Sequence, residues 1–357
     1  MMRRDTSYSM FLACAAVALV AAGPVRAQAP THSPSAAVSY EAPPGAPYTA
    51  EHVLIRSPYG HTLGGTLTRP CRARGPLPAV VLISGTGPQD RDGGVPGERY
   101  RPLRQIADTL SRRGLAVLRF DDRGVTAGKY FSPASPLEVA EDVRAALMLL
   151  RARGDIDPAR LALVGHSEGG LVATMVAASD PSLRAAVLLG APAKMLTEGL
   201  REQIRIGVER DTAWKTTAER DSVLRVREAA LETQLRQPWA RQTASYDPLI
   251  SARAVRTASV LVLQGATDWQ VSPAQAAMLG KAFRDGGNRD VTVTLFPATN
   301  HLFLPDPDGN PDLYDLSKPI SASVLGVLAD WAAVRMGAPA VRAAGRPPGG
   351  TVLHNCA

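Results

Sequence analysis

Residues 165–169 read Gly165-His166-Ser167-Glu168-Gly169, directly after an apolar run from Leu161 to Val164 and before a stretch of small and apolar residues. A chain that passes from strand to helix through G-x-S-x-G turns so sharply that its flanking positions need glycine. A serine held in that turn points its oxygen away from the backbone, where a base can reach it. The pattern alone is a weak signal in a chain with 31 glycines, so its surroundings carry the reading. It demands a buried strand before it, a helix after it, and partners for the serine at the ends of other strands.

The flanking sequence supplies that frame. Two short strands are expected at His52 to Ser57 and Thr62 to Thr68, joined by a turn at Tyr59-Gly60. Ala79 to Ser84, Leu115 to Phe120, Leu161 to Val164 and Ala185 to Leu189 are continuous apolar runs, as in strands buried on both faces. Between them, Arg101 to Arg113 and Leu137 to Arg153 have helical periodicity and stop at Gly114 and Gly154. Strands resume at Val260 to Leu263 and Val291 to Phe296, with helices at Pro273 to Arg284 and Ile320 to Met336. Strands alternating with helices predict an α/β fold, a mostly parallel central sheet flanked by helices. Residues 195–255 break the alternation. They are charged and helical, with Leu196, Leu200, Ile204 and Val208 at four-residue spacing, and predict a helical cap inserted after the sixth strand.

The ends differ from this core. Arg3 and Arg4, the apolar stretch from Phe11 to Ala22, and Val25-Arg26-Ala27 have the order of a cleaved export signal over residues 1–27. The apolar stretch is shorter than a membrane span needs. Residues 28–50 read as a Pro/Ala/Ser-rich flexible lead-in and 337–357 as a flexible Pro/Gly/Ala-rich tail, so the expected core is 51–194 with 256–336, and the cap 195–255. The mature protein is then periplasmic or secreted, with no stable membrane insertion. Of three cysteines, Cys71 and Cys356 survive cleavage. Export permits a disulfide between them, and their spacing does not decide between that and two free thiols. The net charge of +7 comes from arginines scattered among acids, with no basic stripe for nucleic acid. No Cys/His cluster has metal-ligand spacing, so no metal is expected.

A serine hydroxyl needs a base, and the base needs a carboxylate to orient it. Of the six histidines, His32 and His354 lie outside the core, His52 and His61 belong to the early strands, and His166 adjoins the serine with its side chain expected to point elsewhere. His301 remains, in the loop Pro297-Ala298-Thr299-Asn300-His301 after the last strand. Asp268 follows the preceding strand. The order Ser167, Asp268, His301 places each at the end of a separate strand, where the loops of a parallel sheet converge. Asp306 and Asp308 are weaker candidates, since they come after the histidine. An oxyanion would need two main-chain donors, expected from Glu168 at the start of the helix and Thr86 in Ser84-Gly85-Thr86-Gly87-Pro88. That glycine-rich loop lacks the spacing of a nucleotide-binding loop. Asp90, Arg91, Asp92, Asp122 and Arg123 are expected to pair across neighbouring loops. Trp214 and Trp239 are expected either to line an acyl pocket or to pack between cap helices.

With these residues in place the chain resembles the α/β-hydrolase superfamily over about residues 50 to 336. Ser84 to Asp92 and Phe120-Asp121-Asp122-Arg123-Gly124 resemble loops of exported bacterial serine esterases of that superfamily. After Arg123-Gly124 the usual Gly-x-Gly-x-Ser is replaced by Val125-Thr126-Ala127-Gly128-Lys129. The resemblance implies a cofactor-free hydrolase of small-molecule carboxylic esters, working through Ser167, His301 and Asp268 and an acyl-enzyme. An amide or peptide hydrolase and an acyltransferase would use the same residues, and a non-catalytic binding protein is the reading from another class. Acyl length and oligomeric state are not legible at this level.

Overall fold

Leu77–Ile83, Ala116–Phe120, Ala185–Leu189 and Ser259–Gly265 are buried along their whole length, as strands covered on both faces must be, and they lie in the middle of one eight-stranded sheet. The computed structural model describes residues 39–338 except 72–74, 96–97, 129–133, 212 and 310–313. The expected export signal, the first part of the expected lead-in, Cys14, Cys356 and nearly all of the expected tail lie outside the described residues. In chain order the elements are β1 (Tyr48–Arg56), β2 (Thr62–Pro70), β3 (Leu77–Ile83), α1 (Pro102–Arg112), β4 (Ala116–Phe120), α2 (Pro136–Arg151), β5 (Ile156–His166), α3 (Glu168–Ser179) and β6 (Ala185–Leu189). There follow α4 (Leu196–Arg210), α5 (Thr217–Leu235), α6 (Pro238–Arg241), α7 (Pro248–Ala254), β7 (Ser259–Gly265), α8 (Ala274–Asp285), β8 (Val291–Phe296) and α9 (Ala322–Arg335).

The strand order is β1-β2-β4-β3-β5-β6-β7-β8. β1 and β2 pair antiparallel, β2 meets β4 antiparallel, and every later pairing is parallel. Alternate residues of each strand go to opposite layers, as the two-residue period of a strand requires. Val81, Leu163 and Val262 pack toward α2, α3 and α8, while Val80, Val164 and Leu261 pack toward α1 and α9. The described part of the lead-in is held rather than loose. Arg104 donates to the Ser39 and Glu41 carbonyls, and the Arg91 guanidinium stacks on the Tyr40 ring. Cys71, just after β2, is disulfide-bonded.

Two features of this layout position the site. The chain reverses direction across the sheet at β3, so the loop after β3 lies beside the loop after β5. The residues after β5, β6, β7 and β8 then line up along one edge. Between β6 and β7 the four helices divide by what they touch. The charged α4 and α5 pair with each other, while α7 packs on α3 and α8, with Ala252 and Val255 buried in the core. The apolar stripe of α4 divides as well: Leu196 and Leu200 line a cavity, and Ile204 and Val208 are buried. No helix among the described residues is long and apolar enough to cross a membrane.

Candidate active site

β5 delivers Ser167 into a turn with φ 54° and ψ −122°, a conformation that costs energy for any residue with a Cβ. The turn closes because its glycines leave no room for anything larger. A Cβ on Gly165 would lie 2.0 Å from the Gly169 carbonyl oxygen, and one on Gly169 would lie 2.3 Å from that of Ser84. The Ser167 N–H donates to the Leu189 carbonyl at 2.8 Å, which fixes the elbow to the end of β6.

Asp268, after β7, and His301, after β8, meet behind the serine. His301 Nδ1 donates to Asp268 Oδ2 at 2.8 Å, and both residues are buried. Gln264 Nε2 donates to the same oxygen at 2.8 Å, while Asp268 Oδ1 accepts the N–H groups of Gln270 and Val271 at 2.9 Å each. With Nδ1 committed to Asp268, Nε2 is the ring nitrogen of His301 left for chemistry. Gly190, after β6, makes space for this pair. Its φ is +56°, and a Cβ there would sit 3.2 Å from His301 Nδ1 and 3.5 Å from Asp268 Oδ2.

Ser167 and His301 line one cavity of about 200 Å³. Among the described residues no hydrogen bond joins the serine hydroxyl to the His301 ring; such bonds are often longer in a free site than with substrate bound. Thr86 and Glu168 line the same cavity, as do residues of α4 together with Thr243 and Tyr246. Its wall is mostly apolar, including Val95, Leu171, Met195 and Leu302. Asp306 is not the partner of the histidine, whose Nδ1 is taken by Asp268; its Oδ1 accepts the N–H of Gly309. Trp214 is not among the residues described as lining the cavity, and the Trp239 side chain lies outside the described residues.

Of the loop acids and arginines, Arg91 pairs across to a neighbouring loop, while Asp92 and Arg123 find their partners on β4 and α2. Arg91 grips Asp121 through Nε at 2.9 Å and Nη2 at 2.8 Å, Arg119 holds Asp92 at 2.7 Å, and Arg123 holds Asp142 at 2.6 Å. Asp122 instead takes Ser84 Oγ at 2.6 Å and the Gln89 N–H at 2.8 Å. Burial pushes its carboxyl up to about 8 against the pull of those two bonds. Burial likewise raises Glu168 to about 7, with the Thr86 hydroxyl acting in the other direction.

Three supporting residues escaped the sequence reading. His166 was expected to point away, yet its ring lies 4.9 Å from that of His301 and its Nε2 donates to the His301 carbonyl at 2.9 Å. Gln264 steadies Asp268 from within β7. Asn300 Oδ1 accepts the N–H groups of Leu302 and Leu304, shaping the histidine loop. Asn300, next to His301, and His166, next to Ser167, could have been found from their places in the chain; Gln264 could not.

Among the described residues no group of three or more His, Cys, Asp or Glu is arranged to hold a metal ion.

Comparison with known proteins gives the family and the fold. The model of the prolyl oligopeptidase family matches residues 103–316. Esterase EstD of Thermotoga maritima is 27% identical over 250 residues, covering 68% of this chain and 58% of that protein. The chain spans about half the length of the curated relatives it matches. Carboxyl esterase 2 of the fungus Tuber melanosporum superposes with a TM-score of 0.54 at 18% identity, over 83% of this chain and 89% of that one. A puromycin-hydrolyzing peptidase of Mycobacterium tuberculosis gives 0.54 at 18% identity, over 82% of this chain and 40% of that one. At such identities the likeness is one of fold, and that fold is the α/β-hydrolase fold expected from the sequence.

Proposed function

The chain belongs to the prolyl oligopeptidase family, and from that premise we propose that it is a serine hydrolase that cleaves carboxylic esters at Ser167. The observation that carries this reading is the buried His301–Asp268 pair at 2.8 Å, whose histidine lines the same cavity as the strained serine. His301 Nε2 takes the Ser167 proton as Oγ bonds to the ester carbonyl carbon. The carbonyl oxygen becomes an oxyanion, met by the N–H groups of Thr86 and Glu168. As the C–O bond to the alcohol breaks, His301 returns the proton to the departing oxygen. Water then attacks the acyl-enzyme, giving a proton to His301, and as the second intermediate collapses the bond to Oγ breaks, His301 returns that proton to Ser167 and the acid is released. Asp268 holds one tautomer of His301 throughout.

Esters are favoured by the esterase relative and by the small apolar cavity. The family match itself favours amide or peptide bonds as the second reading. We place the mature enzyme outside the cytoplasm, on the basic–apolar–small order of residues 1–27; the disulfide at Cys71 supports an oxidising compartment. Labelling with a fluorophosphonate, followed by mapping of the modified residue, tests the nucleophile. Turnover of p-nitrophenyl esters beside aminoacyl p-nitroanilides tests the bond. Label on Ser167 with ester turnover, both lost in Ser167→Ala, is the expected result. Turnover persisting in Ser167→Ala sinks the assignment, and anilide turnover alone moves it to peptides.

A further inference from the structure

The Thr86 hydroxyl donates to Glu168 Oε2 at 3.1 Å. These are the two residues whose main-chain N–H groups are aimed at the oxyanion in the mechanism above. The loop that carries Thr86 is clamped at its ends by one carboxyl, Asp122, which accepts from Ser84 and from Gln89. Its tip, Gly85-Thr86-Gly87, has little side chain of its own to pack. Gly85 lies flat against the elbow, where a Cβ would be 3.3 Å from Ser167 Cβ, and Gly87 turns the chain with φ 101°. Gln89 Nε2 reaches the Thr86 carbonyl at a long 3.3 Å. Among the described residues, Glu168 is the elbow side chain that hydrogen-bonds to this tip. A glycine-flanked tip without such a tie would sample several N–H directions, and an oxyanion donor works only within a few tenths of an ångström of its place.

We propose that Glu168 is a positioning residue for the oxyanion hole: its carboxyl, through the Thr86 hydroxyl, fixes the two N–H donors relative to each other. The proposal rests on Ser167 being the nucleophile. A bond that orients donors acts on the transition state and not on substrate binding. Its loss therefore lowers kcat and leaves KM in place.

The test uses the full chain and a p-nitrophenyl ester. Thr86→Val keeps the N–H and the size but removes the hydroxyl, and Glu168→Leu removes the acceptor. Each is expected to lose about tenfold in kcat with KM unchanged. The double variant should fall no further than either single one, since both break the same bond. Thr86→Ser and Glu168→Gln keep a donor and an acceptor and should recover most of that loss. Undiminished kcat in Thr86→Val, a loss confined to KM, or additive losses in the double variant would overturn the proposal. Should Glu168→Leu fail to fold, the contrast between Thr86→Val and Thr86→Ser decides it alone. Ser167→Ala, assayed alongside, separates the two levels: turnover there removes the serine-hydrolase reading, whereas a null Thr86 series beside inactive Ser167→Ala removes only the role of Glu168.

Discussion

His166 Nε2 donates to the main-chain carbonyl of His301 at 2.9 Å, with the two rings 4.9 Å apart. The residue before the proposed nucleophile thus braces the loop of the proposed base, across 135 positions of sequence. Burial drives His166 down to about 4, with the neighbouring His301 adding to the effect, so it stays neutral while the site works. His166→Leu leaves a carbonyl without its donor and should cost about 1–3 kcal/mol of stability. Its kcat should fall about tenfold as His301 loosens. The pH dependence has a definite sign. An unfolded histidine takes up a proton below about 6.5, the folded one only below about 4, so the unfolded chain binds more protons in that window. Stability from His166 is present above pH 6.5 and drains away as the pH falls to 4. Urea unfolding across that range should show a slope in the wild type that is reduced in His166→Leu; identical slopes refute the account.

Asp268 accepts four hydrogen bonds, two on each oxygen, and no donor of its own is called for. Asp268→Asn puts an N–H₂ where an acceptor is needed, and His301 must turn its ring or change tautomer to avoid a donor–donor clash. The expected cost is about 10³–10⁴ in kcat, the size seen when an orienting carboxylate is replaced in serine hydrolases of other folds. Stopped-flow acylation with a p-nitrophenyl ester measures it directly. A loss below tenfold would mean that Asp268 only stabilises the loop.

The parts of the fold that were legible in the sequence are those governed by periodicity. Val80, Val81, Leu163 and Val164 are apolar on both faces because helices cover both faces, and the resulting runs mark strands without ambiguity. β5 was seen short at Leu161 because its first turn of chain, Asp157-Pro158-Ala159-Arg160, reads as polar punctuation; in the fold it continues from Ile156. α7 hid inside a charged region because seven residues are too few to show a stripe, and its burial comes from α3 and α8. At the candidate site, motif and chain order were enough to single out Ser167, Asp268 and His301, which the fold brings close together. They did not give the contacts of His166 and Gln264, since each acts on a residue that only folding brings near.

Asp122 gives a second test by pH, of opposite sign. Its buried carboxyl holds a proton up to about 8, whereas the unfolded chain releases it near 4. Between those values the unfolded state binds fewer protons, so the wild type loses stability as the pH rises. Asp122→Asn mimics the protonated acid, with one oxygen to accept the Gln89 N–H and one N–H₂ to donate to Ser84 Oγ, and cannot ionise. From pH 5 to 9 its Tm should gain on the wild type by on the order of 5 °C. Parallel Tm curves for the two proteins would rule out a buried, late-titrating Asp122.

In the proposed ester hydrolysis, the cavity would limit the acyl chain. At about 200 Å³ it is smaller than the 300–1,000 Å³ usual for drug-sized ligands, and Leu171, Met195, Leu196, Leu200 and Leu302 give it an apolar wall. Each methylene buried against such a wall gains roughly 0.8 kcal/mol, about fourfold in kcat/KM, until the space is filled. Further methylenes must then stay in water or push α4 aside. Across p-nitrophenyl esters, kcat/KM should climb from acetate to a maximum at about four to six acyl carbons and collapse by palmitate. Leu200→Ala, which trims the α4 side of the wall, should move that maximum to longer chains while leaving acetate turnover near wild type. A maximum that stays put in Leu200→Ala would place the acyl group away from α4, against Leu302 and the histidine loop.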